Sequence, residues 1–128
     1  MARTQLKIKR YLQAVSTWRR MLVFLSEENT VLKLRLAEIL KDTTASAGLL
    51  EEAEQYLSQF TQQDEVILLA RGDIAALELL LTTENFEQEA DFKNIDKKYK
   101  QLNKELEKLE REINAQKFKF NTFLTAQQ

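Results

Sequence analysis

Residues 8–39 read IKRYLQAVSTWRRMLVFLSEENTVLKLRLAEI, and their spacing decides the fold. Apolar side chains recur at alternating steps of three and four: Ile8, Tyr11, Val15, Trp18, Leu22, Leu25, Leu32, Leu36 and Ile39, with Asn29 in the one polar slot. That spacing keeps one stripe of a helix turned toward a neighbour, as in a coiled-coil seam. A second ladder runs Leu49, Ala53, Tyr56, Phe60, Gln63, Ile67, Ala70, Ile74, Leu77, Leu81. A third runs Phe92, Ile95, Tyr99, Leu102, Leu106, Leu109, Ile113, Gln116, Phe120, Phe123. Each again carries one polar slot.

The ladders cannot be merged. Extending the first would bury Asp64, Arg71 and Glu78, and extending the second would bury Glu84, Gln88, Asp91, Lys98 and Glu105. Both frames reset beside helix-capping chemistry. Asp42, Thr43, Thr44 and Ser46 offer N-cap oxygens at the first join. Thr82, Thr83 and Asn85 do so at the second, with Asn85 and Gln88 at capping-box spacing. The spacing therefore predicts helices at about 3–43, 47–82 and 85–125, in one domain over residues 1–128. Short joins fold long helices back on one another, giving an all-α, antiparallel, up-down-up three-helix bundle with coiled-coil-like packing. The alternative is a long hairpin completed by a second chain. Thr61 to Asp64 is a candidate kink, because Gln62-Gln63-Asp64 interrupts the apolar run.

Composition agrees. The 128 residues contain no Pro, no Cys, no His and two Gly, so the main loop-forming residues are scarce. Without His or Cys the usual zinc and haem ligands are missing, and the Glu-x-x-His motif of di-iron bundles cannot be built. Glu27-Glu28 and Glu51-Glu52 sit at surface spacing, and no Gly-rich phosphate loop precedes a helix. The expectation is a protein that is not an enzyme, with no cofactor, no metal and no small-molecule substrate. The N-terminus does not read as a secretory signal, and Val66 to Leu81, the most apolar stretch, is charged and too short to span a bilayer. A chain without Cys suits the reducing cytoplasm.

Register arithmetic gives two finer expectations. Turns centred near residues 45 and 83 would set Asn29 beside Gln63, with Asn103 close by. They would also set Trp18 against Gly72, where a larger side chain would overpack.

Two features bear on function. The net charge of −1 hides a segregation: residues 1–26 carry +6, residues 27–92 carry −11 and residues 93–128 carry +4. Arg3, Lys7, Arg10, Arg19 and Arg20 are therefore candidates for binding an anion, nucleic acid or an anionic membrane, with Tyr11 and Trp18 as stacking groups. Against this, both aromatics occupy seam slots and the charges are spread around the helix.

The second feature is surplus apolar surface. Met21 to Leu25 is five apolar residues in a row, more than one helix face can bury. Off-seam residues Phe24, Val31, Leu34, Leu68, Leu69, Leu79 and Leu80 form the candidate protein interface, and antiparallel packing would place Met21–Leu25 and much of Val66–Leu81 toward the same half of the bundle. Phe118, in an alternating Lys117-Phe118-Lys119-Phe120, is open to either fraying or docking. The expected function is a helical interaction or scaffold module whose partner is another protein or itself, as a homodimer. The expected architecture resembles that of spectrin-like repeats, chaperones of secreted helical proteins and assembly adaptors, a likeness of architecture only that carries no family motif and does not license a function.

Overall fold

The computed structural model describes residues 2–83 and 89–127, which form three helices: α1 (Ala2–Leu40), α2 (Ala47–Thr83) and α3 (Glu89–Ala126). No strand occurs among the described residues. Arg19 of α1 meets Glu78 of α2, and Lys33 meets Asp64, so these helices run antiparallel. Gln59 and Tyr56 of α2 reach Gln116 and Lys119 of α3, again antiparallel. Tyr11 to Asp96 and Glu28 to Lys117 set α1 and α3 parallel. The molecule is the expected up-down-up three-helix bundle.

Every buried side chain among the described residues lies on one of the three ladders. Full burial therefore follows the three-and-four spacing, while the remaining slots (Ile8, Ile39, Leu49, Tyr56, Gln63, Tyr99 and Gln116) are half-buried and off-ladder Leu12, Met21, Leu57 and Leu80 pack against the core from its flanks. The backbones of α1 and α2 approach most closely and those of α1 and α3 least. Side-chain size accounts for this: α2 brings Ala53 and Ala70 to its seam, whereas α3 brings Phe92, Tyr99, Phe120 and Phe123.

The core is divided in two. The larger cluster runs from Tyr11 through Leu25 in α1, Ile67 to Leu81 in α2 and Phe92 to Ile113 in α3. The smaller holds Leu32, Leu36, Ala53, Phe60, Phe120 and Phe123. Between them lie the three polar slots, Asn29, Gln63 and Gln116, one from each helix. Asn29 Nδ2 donates to Asp64 Oδ1 at 3.1 Å, Lys33 Nζ reaches Asp64 Oδ2 at 2.5 Å, Gln116 donates to Gln59, and Lys117 pairs with Glu28. Three buried oxygens in this layer, Glu28 Oε1, Asn29 Oδ1 and Gln63 Oε1, have no hydrogen-bond donor.

Several expectations need correction. Asn29 bonds Asp64 rather than Gln63, and Asn103 bonds Glu107 within its own helix. The pairing of α2 with α3 is offset from the one a turn at residue 83 implies: Gln59 meets Gln116, so Gln116 takes the place assigned to Asn103. Trp18 does not pack on Gly72; it stacks on Tyr99 with ring centroids 5.2 Å apart. Gly72 faces outward, and a Cβ added there would have nothing within 4 Å.

Helix α1 stops at Leu40, earlier than 43, because Asp42 organises a turn by accepting bonds from the Thr44 amide and hydroxyl. Ser46 Oγ accepts from the Leu49 amide and caps α2 as expected. Thr82 and Thr83 do not cap α3, since their hydroxyls bond back to Glu78 and Leu79 carbonyls in the last turn of α2. The Asn85 and Gln88 capping box lies outside the described residues. Helix α2 runs without a break through Thr61 to Asp64.

Candidate interaction surface

In the run Met21 to Leu25 the seam takes Leu22 and Leu25, and Met21 is half-buried against the larger cluster. Val23 and Phe24 are left outside, and Phe24 is 57 % exposed. Val31 and Leu34 continue that outer face of α1. On α2, Leu68 and Leu79 are exposed and Leu69 is 70 % exposed. Leu80 departs from the expected set, because it is half-buried against the larger cluster. It lines a groove of about 340 Å³ between α2 and α3 with Asp73, Ala76 and Lys98.

The six exposed side chains fall in one stretch of the bundle, because the Arg19–Glu78 and Lys33–Asp64 pairs set residues 19–33 alongside residues 64–78, with Leu34 and Leu79 one residue beyond at opposite ends. They occupy the outer faces of two helices, not one continuous patch. On α2 the face also includes Gly72, Ala75 and Ala76, all exposed. No charge interrupts Leu68, Leu69, Gly72, Ala75, Ala76 and Leu79, which is unusual for solvent-facing helix in a chain with 30 % charged residues.

The five candidate anion-binding residues are not brought together. Arg19 is committed to Glu78 at 2.5 Å, on the α2 side of α1. This hydrogen bond, with the charge of Arg19 behind it, holds the Glu78 carboxyl below the usual carboxylate range despite some burial. Lys7 lies on the α3 side, 5.7 Å from the centre of the Phe92 ring. Arg3, Arg10 and Arg20 are exposed. Tyr11 and Trp18 are buried, so neither offers a stacking platform. Tyr11 instead donates to Asp96 and stacks on Tyr99 at 3.7 Å.

Sequence spacing missed Leu6 and Val66, both exposed, and left Phe118 open. Phe118 is 74 % exposed within helix α3 and borders a groove of about 440 Å³ formed with Glu52, Tyr56, Lys119, Thr122 and Phe123. Its off-ladder position between Gln116 and Phe120 was the available signal. Among the described residues no three acidic side chains gather to hold a metal ion, and no helix is long and apolar enough to cross a membrane.

Comparison with protein-family models, curated proteins and solved structures found no match to the chain.

Proposed function

We propose that this chain is a non-catalytic helical interaction module that binds another protein, in the simplest case a second copy of itself. The observation that carries this is the concentration of exposed large apolar side chains, Phe24, Val31 and Leu34 on α1 and Leu68, Leu69 and Leu79 on α2, along one stretch of the bundle. The intramolecular core is complete without them, so folding gives no reason for their apolar character, whereas association does. A scaffold role in the cytoplasm belongs to the same proposal and suits a chain without cysteine. Binding of nucleic acid or anionic membrane is the weaker proposal, because Arg19 and Lys7 are engaged within the bundle.

The test compares the wild type with a variant carrying Gln at all six exposed positions. Sedimentation and affinity capture from the native cell should both show association by the wild type and its loss in the variant, at an unchanged helical content by circular dichroism. Equal behaviour of the two proteins in both assays would defeat the proposal.

A further inference from the structure

The outer face of α2 has an order of its own. Leu68, Gly72, Ala75 and Leu79 follow at steps of four, three and four, which is a second seam on the side turned away from the core. All four are exposed, as are Leu69 and Ala76 beside them. The order of sizes is large, small, small, large, and so reads the same in both directions.

A helix laid antiparallel across this face sets its Leu79 opposite Leu68, and its Ala75 opposite Gly72, when it carries the same sequence. The small residues meet at the centre, where backbones can approach closely, and the leucines close both ends. Glu65, at the edge, meets only Thr82. A parallel second copy would instead place each residue against its own counterpart.

Charge on the flank separates these two arrangements. Arg71 and Glu78 border the seam on one side, seven residues apart. In the antiparallel arrangement the flanking residue just before each seam position faces its equivalent in the other helix running the opposite way. Arg71 of each copy then meets Glu78 of the other, twice over. A parallel copy would instead set Arg71 beside Ala76 and Glu78 beside Thr83 of its partner, leaving both charges without an opposite charge. Arg71 makes no ion pair among the described residues, and Glu78 uses only Oε2 to hold Arg19, leaving Oε1 for a second cation.

We propose that the occupant of this face is a second copy of the chain, packed α2 against α2 in an antiparallel two-fold dimer. The axis passes between residues 73 and 74, Gly72 and Ala75 form the close contact, and two Arg71–Glu78 pairs fix the direction. The proposal rests on the interaction-module function above and specifies its partner and geometry.

The test uses the full chain, which has no native thiol. Sedimentation of the wild type should give a dimer. Arg71→Glu should weaken it about tenfold, and Arg71→Glu combined with Glu78→Arg should recover at least part of the loss. A short bismaleimide should join copies of Ala75→Cys efficiently and not those of Ser58→Cys, because the antiparallel arrangement holds the latter about 45 Å apart. A monomer up to about 1 mM, efficient cross-linking through Ser58→Cys, or a dimer abolished by Phe24→Gln yet indifferent to Arg71→Glu would each overturn this geometry. A monomer that still captures a protein through Phe24, Val31 and Leu34 would sink the dimer while leaving the interaction module standing. Association unaffected by any of the six Gln substitutions would remove both.

Discussion

Asn29, the one fully buried polar side chain among the described residues, donates across the α1–α2 seam to Asp64, and Asp64 takes Lys33 on its other oxygen. The carboxylate thereby serves two residues one turn apart on the neighbouring helix. Asp64→Ala would strand the Asn29 amide in the core and release Lys33. The expected cost is about 1–3 kcal/mol, read as a lower urea midpoint at constant slope. Replacing Asn29 and Gln63 together by Leu removes two undonated oxygens from the same layer, and stability should rise by about 1–2 kcal/mol. An Asp64→Ala midpoint equal to wild type would show that the bond contributes nothing.

Gly72 sits inside α2 with open space around the site of a Cβ. Gly72→Ala should therefore raise stability by up to about 1 kcal/mol through helix propensity alone. Gly72→Leu should not lower the melting temperature of the monomer, the reverse of what Trp18 packing there would require. A destabilised Gly72→Ala would mean that this turn of α2 is contacted by something the bundle itself does not supply.

The Tyr11–Asp96 bond gives stability two pH limbs. Burial pushes the Asp96 carboxyl up, but hydrogen bonds from Lys100 and Tyr11 outweigh it and hold the group below its ordinary value. A depressed carboxyl stabilises the fold at neutral pH and loses that contribution as pH falls below about 4. Burial first, then the bond to Asp96, raises the Tyr11 phenol. Its contribution is complete below about pH 10 and is lost as pH climbs past that value. Urea midpoints measured across pH should show the acid limb shrinking in Asp96→Asn and the alkaline limb shrinking in Tyr11→Phe. Unaltered slopes in both variants would argue against the pair.

Trp18 is the sole tryptophan and belongs to the larger cluster, beyond the polar layer from Phe120. Phe120→Ala should cost about 3–5 kcal/mol, confined at first to the half built on Phe60, Phe120 and Phe123. Hydrogen exchange near Leu36 and Phe60 should then accelerate at denaturant concentrations where Trp18 fluorescence is still native. Coincident loss of both signals would mean that the two clusters open as one unit.

How far the sequence determined these features varies from residue to residue. The seams were fully legible, because burial in a helix follows from period alone: Val15, Leu22, Phe60, Ile74 and Ile113 are all slots of the ladders. The identity of neighbours across a seam was not. Period fixes which side of a helix is turned inward but not how far one helix slides past another, and here α2 ends at Thr83 as expected while α3 pairs with it in a different register. That offset in the α2–α3 pairing was enough to replace Asn103 by Gln116 in the polar layer. Asp64 was missed for a related reason. Adjacent to a seam slot, it reads as surface, yet a short carboxylate there reaches across to Asn29. Leu80 was taken for surface and is half covered, since the flank of a seam is shared between core and solvent. Phe24, Leu69 and Leu79 stand outside as expected, because the inward stripe of each helix was already full.

The unequal spacing of the helices carries a mechanical consequence. Alanines draw α1 and α2 together, whereas aromatic rings prop α3 away from both. Tension applied at the carboxyl terminus should strip α3 from its two shallow troughs first, leaving a helical hairpin as the last element to yield.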